Sequence, residues 1–235
     1  MNRKPGLATP LTLPCGAVVP NRLVKAAMTE GLATMDGVPT PELERLYGLW
    51  SDGGAGVLIS GNIQIDRWHL EQPGNVIIDG ESSDELHLAL QAWTRAATRG
   101  GNHFWAQISH AGRQTPRTIN PAPKAPSAVP LALPGGQFGD PVELSELEIH
   151  DIIRRFGIAA GACKAAGFTG VQIHSAHGYL LSEFLSPNAN RRNDRYGGEL
   201  RNRARVLLNV LKTVREAVGP EFPVAVKLNS ADFQK

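Results

Sequence analysis

Short apolar runs alternate along the chain with longer stretches in which apolar residues recur every third or fourth position. Leu11 to Leu13 and Val18 to Val19 flank Pro14-Cys15-Gly16-Ala17, a spacing that predicts a small hairpin around a glycine-containing turn. Leu23 to Met28 reads as the first main strand. After a loop, Thr40 as N-cap and Pro41 at the first helical position open a helix striped by Leu43, Leu46, Tyr47 and Trp50, which Gly53 and Gly54 stop. Gly56 to Ser60 is a continuous apolar run bounded by glycine, as expected of a strand buried on both faces. Ser82 and Glu85 form a capping box for a second helix with Leu86, Leu90, Trp93 and Ala97 on its stripe and Gly100-Gly101 at its end. His103 to Ile108 is the third strand.

Pro116 to Pro141 is rich in proline and contains Gly135-Gly136, so it predicts a long irregular excursion. Ser145 and Glu148 make another capping box before Ile149, Ile152, Ile153, Phe156, Ala160 and Cys163, and Gly167 closes that helix. Gly170 to His174 is the fourth strand, Leu200 to Val218 one periodic helix, and Pro223 to Leu228 the fifth strand. Strand then helix, four times over, implies an α/β chain with a parallel sheet and right-handed crossovers, either an open doubly wound sheet or a barrel. No G-x-G-x-x-G separates the first strand from the first helix, so a dinucleotide-binding open sheet has little support. The expectation is a (β/α)8 barrel plan in a single domain over residues 1–235, with only about five βα units before Lys235, a partial barrel.

Composition changes this picture little. Hydrophobic residues make up 42% and charged residues 20% of the 235, ordinary values for a globular chain able to bury a core. The 24 basic and 22 acidic residues are too evenly balanced to argue for a nucleic-acid or membrane surface, so a small molecule is the expected partner, with a homo-oligomer left open. Cys15 and Cys163 lack C-x-x-C spacing, which excludes a disulfide framework, a cysteine zinc site and an iron–sulfur cluster. With neither a leader-like apolar start nor an apolar run of membrane length, the expected location is the cytoplasm.

In a barrel of this kind, binding and catalytic groups lie at the C-terminal ends of strands and in the loops that follow. Met28 and Thr29 follow the first strand, Gly61 and Asn62 the second, and Gln107, Ser109, His110 and Arg113 the third. His174, His177 and Tyr179 follow the fourth, and Lys227 and Asn229 lie on the fifth. Taken singly these residues have plain explanations: a satisfied histidine pair or a metal pair, a core tyrosine, an ion-paired lysine, a turn-capping threonine. A zinc site would need a third ligand, and the nearest carboxylate, Glu183, has no recognisable spacing for one.

Longer motifs sharpen the choice. Gln107-Ile108-Ser109-His110-Ala111-Gly112-Arg113 and His174-Ser175-Ala176-His177-Gly178-Tyr179-Leu180 resemble the Q-x-x-H-x-G-R and H-x-x-[HN]-G-Y-L segments of the Old Yellow Enzyme family. Glu183 to Pro187, Asn190-Arg191, Arg195 to Gly198 and Arg201 to Arg203 are similar to the run that follows in that family, and the likeness spans the chain from about Leu11. It implies a TIM barrel with FMN as cofactor, NAD(P)H as reductant and an activated alkene as substrate. By the resemblance, His174 and His177 bind the carbonyl or nitro oxygen of an α,β-unsaturated compound and Tyr179 protonates its α-carbon. Gln107 and Lys227 face the flavin's pyrimidine edge, Ala26, Ala27, Met28 and Thr29 pass beside the ring, and Gly61 lets the ring approach. Family members more often carry arginine where Lys227 stands. The resemblance also implies three further βα units and a phosphate-binding segment after strands seven and eight, for which this sequence offers no candidate. The alternative is therefore a noncatalytic partial barrel lacking that segment.

Overall fold

The computed structural model describes residues 6–80, 82–131, 133 and 135–230. A hairpin comes first, β1 (Leu11–Thr12) against β2 (Val18–Val19), antiparallel with Leu11 opposite Val19. Then follow β3 (Val24–Lys25), α1 (Pro41–Asp52), β4 (Val57–Gln64), β5 (Val76–Ile77), α2 (Asp84–Ala97) and β6 (His103–Ser109). The second half holds β7 (Lys124–Ala125), β8 (Val142–Glu143), α3 (Glu146–Ala165), β9 (Gly170–Ser175), α4 (Leu180–Leu185), α5 (Leu200–Arg203), α6 (Arg205–Val218) and β10 (Val224–Leu228).

The main sheet is six-stranded and parallel: along the path β3-β4-β6-β9-β10 order in space follows order along the chain, and the short β5 pairs with the end of β4 off that path. A doubly wound sheet reverses direction at a switch point; this one never does, and it is part of a barrel wall. Its strands line up their C-terminal ends, with Asn62 beside Gln107, Gln107 beside Gln172, and His174 beside Lys227.

The sheet is covered by helices on the face where Tyr47, Trp93, Phe104 and Phe168 meet. Their rings contact at centroid distances of 4.6–5.7 Å, mostly edge-on, the arrangement aromatic quadrupoles favour. Each such side chain fully buried stabilises the fold by about 1.5–3 kcal/mol. The box at Ser145 forms as expected, its hydroxyl accepting from the Glu148 N–H while the Glu148 carboxylate accepts from the Ser145 N–H at 2.8 Å.

Several boundaries differ from the sequence expectation. The cap of α2 is Ser83, whose hydroxyl accepts from the Leu86 N–H; the Ser82–Glu85 box does not form. The first main strand pairs only at Val24 and Lys25, because the chain from Ala26 to Thr29 leaves the ladder to cross in front of β4. Leu200 to Val218 is two helices. At the break, Arg203 and Arg205 reach out to the Leu185 and Arg195 carbonyls. The six-residue α4 was not foreseen, and the Pro116–Pro141 excursion carries the β7 strand, pinned to β8.

Candidate active site

At the C-terminal ends of the strands a cavity of about 320 Å³ is lined by Ala27, Met28, Thr29, Asn62, Glu71 and Gln72, and by Gln107, His174, His177, Tyr179 and Lys227. Eight of the residues expected from the sequence converge here from four separate strands. Ala26 and Gly61 do not. Ala26 is exposed and outside the lining. Gly61 lies behind the crossing segment, where a Cβ would meet the Met28 carbonyl oxygen at 2.5 Å and Thr29 Cα at 2.9 Å. Glycine is needed there so that two stretches of this chain can touch. The crossing coincides with a bulge in β4 between Ile59 and Asn62. Ser60 Oγ mends the ladder by accepting from the Gln107 N–H at 2.9 Å, and Thr29 Oγ1 accepts from the Asn62 N–H at 3.2 Å.

His174 is the penultimate residue of β9 and is buried. The Ala176 N–H donates into its Nδ1 at 3.2 Å, which places the neutral ring's proton on Nε2. Burial, reinforced by the Lys227 and His177 charges, drives its pKa down to about 3, so at neutral pH the ring is an uncharged donor. His177 lies 5.2 Å away, edge-on, in the left-handed region at φ 60°, a conformation costly for a side-chain-bearing residue. Its N–H donates to Asn229 Oδ1 at 2.9 Å, which holds the turn in place. Partial burial and then Lys227 lower its pKa as well.

The Tyr179 ring stands 4.9 Å from that of His174, nearly perpendicular. Its hydroxyl donates to Glu71 Oε2 at 2.5 Å, and burial followed by the Glu71 charge raises the phenol above its ordinary value. Lys227 is drawn below the usual lysine range by burial. Gln107 Nε2 donates to Gln172 Oε1 at 2.5 Å, which leaves its carbonyl oxygen and one N–H hydrogen for a ligand. Asn62 Oδ1 is buried with no hydrogen-bond partner among the described residues. Arg113 is not part of the lining: it donates to the Val129 carbonyl oxygen at 2.8 Å and ties down the proline-rich excursion. Arg191 lies outside the lining too. Glu183, far from supplying a metal ligand to the histidines, accepts from the Arg113 N–H at 2.9 Å.

Among the described residues one histidine–carboxylate group has metal-like spacing: Asp66, His69 and His110. Its hydrogen bonds argue against a metal. The Lys124 N–H donates into His69 Nε2 at 2.9 Å and the Gly112 N–H into His110 Nδ1 at 3.0 Å. Each neutral ring then carries its proton on the nitrogen turned toward Asp66, where a metal would need a lone pair.

Sequence reasoning missed Glu71 and Gln72, which belong to no motif and reach the cavity from a loop. It noted Asn62 only as a strand-end polar residue.

Comparison with known proteins gives a consistent picture. The model of the NADH:flavin oxidoreductase / NADH oxidase family matches residues 7–234. The NADH-dependent flavin oxidoreductase iliE of Hypocrea jecorina is 37% identical over 238 residues, covering 95% of this chain and 59% of that protein. The NADH oxidase of Thermoanaerobacter brockii is 37% identical over 92% of this chain and 33% of its own. Among solved structures, the old yellow enzyme homologue from Zymomonas mobilis superposes with a TM-score of 0.85 at 33% identity, over 95% of this chain and 63% of that one. Morphinone reductase gives 0.83 at 31%, over 95% and 62%. This chain spans less than two thirds of the length of each.

Proposed function

Because the chain belongs to the NADH:flavin oxidoreductase / NADH oxidase family, we propose that its strand-end cavity is the active site of an FMN-dependent oxidoreductase that reduces the C=C bond of α,β-unsaturated carbonyl or nitro compounds with NAD(P)H, in the cytoplasm. The residues present fit FMN. Gln107 offers donor and acceptor on one amide, Lys227 a cation, Thr29 a hydroxyl, and Asn62 Oδ1 a buried acceptor in want of an N–H. FMN, when bound, supplies the two-electron chemistry, accepting hydride from NAD(P)H and delivering it to carbon.

The chain's own part is electrostatic and protic. As hydride reaches the β-carbon, negative charge grows on the substrate's carbonyl or nitro oxygen. The Nε2–H of His174, fixed by the Ala176 N–H, and the neighbouring His177 would meet that charge, stabilising the transition state more than the ground state. Tyr179 would deliver the proton to the α-carbon. A phenol raised above its ordinary pKa stays protonated at neutral pH and can protonate a carbanion far more basic than itself. The observation that carries this reading is the convergence of an uncharged, oriented His174 with Tyr179 on the same cavity as Gln107 and Lys227.

The test separates the two half-reactions. Tyr179→Phe should slow alkene reduction by about 10²–10⁴-fold while leaving flavin reduction by NAD(P)H unchanged. Equal slowing of both would count against the proton-donor role.

A further inference from the structure

The turn that carries His177 is held at more points than a turn needs. Among the described residues His177 alone bears a side chain at positive φ, 60°, and Gly178 follows it at φ 77°. The Tyr179 N–H donates to the Ala176 carbonyl oxygen at 3.2 Å, so Ala176 to Tyr179 is a β-turn with two left-handed central residues. Glycine takes that conformation freely and histidine does not; Asn-Gly is the pair such a turn prefers. A histidine kept there needs an outside hold.

Three side chains supply it. Gln114, in the short 3₁₀ turn Gly112–Gln114 that follows β6, donates through Nε2 to the His177 carbonyl oxygen at 2.6 Å. Asn229, just past β10, accepts the His177 N–H at 2.9 Å and donates through Nδ2 to Ser182 Oγ at 3.3 Å. That same Ser182 oxygen accepts the Gly178 N–H at 3.3 Å. The Gln114 amide lies so close that a Cβ at Gly178 would meet its Nε2 at 2.5 Å. The N–H and C=O of His177 are thus pinned separately, one from each strand beside β9.

We propose that Gln114 and Asn229 are positioning residues for the His177 ring, holding its backbone left-handed and its imidazole edge-on to His174 in the cavity wall. This rests on the oxyanion role given to His177 above. Neither residue belongs to the cavity lining, so each acts through the turn. Released from the clamp, His177 relaxes to the negative φ that a residue with a Cβ favours, and its ring leaves His174.

Two measurements test the clamp. The first needs no flavin and follows the His177 imidazole by NMR against pH. Partial burial and then the Lys227 charge hold its pKa below the ordinary histidine value, and His174, Tyr179 and Glu71 are the other titratable groups on the cavity. Gln114→Met and Asn229→Ala change no charge, so each should move the titration up toward the ordinary value by releasing the ring into solvent. A titration that stays at the wild-type position in both variants overturns the clamp. The second uses the FMN-loaded chain and a phenolic ligand. Gln114→Met should weaken binding about tenfold, the worth of one hydrogen bond to a charged oxygen, and should weaken it no further in His177→Ala, where the ring is already gone. Equal weakening in both backgrounds overturns positioning through His177. Wild-type binding in His177→Ala would instead remove the oxyanion role of His177, while an upward-shifted titration would still establish the clamp.

Discussion

Two strand ends of this sheet present a histidine in the same way and put it to different use. At the end of β6 the Gly112 N–H donates into His110 Nδ1 at 3.0 Å, and at the end of β9 the Ala176 N–H donates into His174 Nδ1 at 3.2 Å. In each case a backbone donor two residues on fixes the tautomer and turns Nε2–H outward. What lies beyond Nε2 differs. His110 is stacked on His69 at 4.4 Å and faces Asp66 Oδ2 at 3.9 Å, with His69 Nδ1 at 3.0 Å from the same oxygen in a contact short of good N–H alignment. His174 faces a cavity that holds a phenol and a cation. The same local device therefore makes a closed clamp in one place and an open donor in the other, and the space in front of the ring, more than the ring, marks the site.

Replacing each histidine cluster's key member should pull these roles apart. The largest effect belongs to the open side. His174→Ala should lower alkene reduction by about 10²–10³-fold, as loss of one oxyanion donor does elsewhere, and should weaken binding of a phenolic ligand in parallel. Unchanged ligand binding would sink the oxyanion role.

On the closed side, Asp66→Asn should lower stability by about 1–3 kcal/mol in chemical denaturation and leave the alkene half-reaction untouched. Loss of turnover without loss of stability would reverse the assignment. The acid side of the stability curve sharpens the contrast. Burial, and then His69, hold His110 well below the ordinary histidine value, so the folded state keeps it neutral while the unfolded chain takes up a proton near pH 6.5. Its contribution is complete above that pH and is lost as pH falls below it. Burial would raise the Asp66 carboxyl, but the polar neighbourhood of His69 and His110 outweighs it and holds the group below the usual range. That contribution is complete above about pH 4 and fades below it. Asp66→Asn should therefore flatten the curve below pH 4 more than near pH 6, which thermal unfolding across that range would show. The smallest effect is none at all. Zinc at saturating concentration should leave the melting temperature where it was, because the rings' protons point at the would-be metal position, whereas a real site would stabilise by about 2.7 kcal/mol at a hundredfold excess over Kd.

Much of this was written locally in the sequence. The Ser145–Glu148 box, the Pro41 start of α1 and the hairpin at Gly16 depend on residues within four positions of one another, and each formed as the pattern implied. Motif residues carried by strand ends, such as Gln107, His174 and Lys227, reached the cavity because a parallel ladder aligns those ends automatically. Glu71 was invisible for the opposite reason: it meets Tyr179 across 108 residues from a polar loop with no periodicity. Gly61 was visible, but only the crossing of Met28 and Thr29 over the β4 bulge reveals the chain contact that its missing side chain allows. The shift of the α2 cap from Ser82 to Ser83 shows the limit of adjacent serines as punctuation, because either can cap and tertiary packing chooses.

The central claim, that the cavity in front of His174 is built for a flavin, is tested most directly by titrating the purified chain with FMN and following flavin fluorescence. One saturable site is expected, weakened in Gln107→Ala and in Lys227→Ala and indifferent to Asp66→Asn. Fluorescence that changes linearly without saturation, or saturation that ignores Gln107 and Lys227, would contradict it.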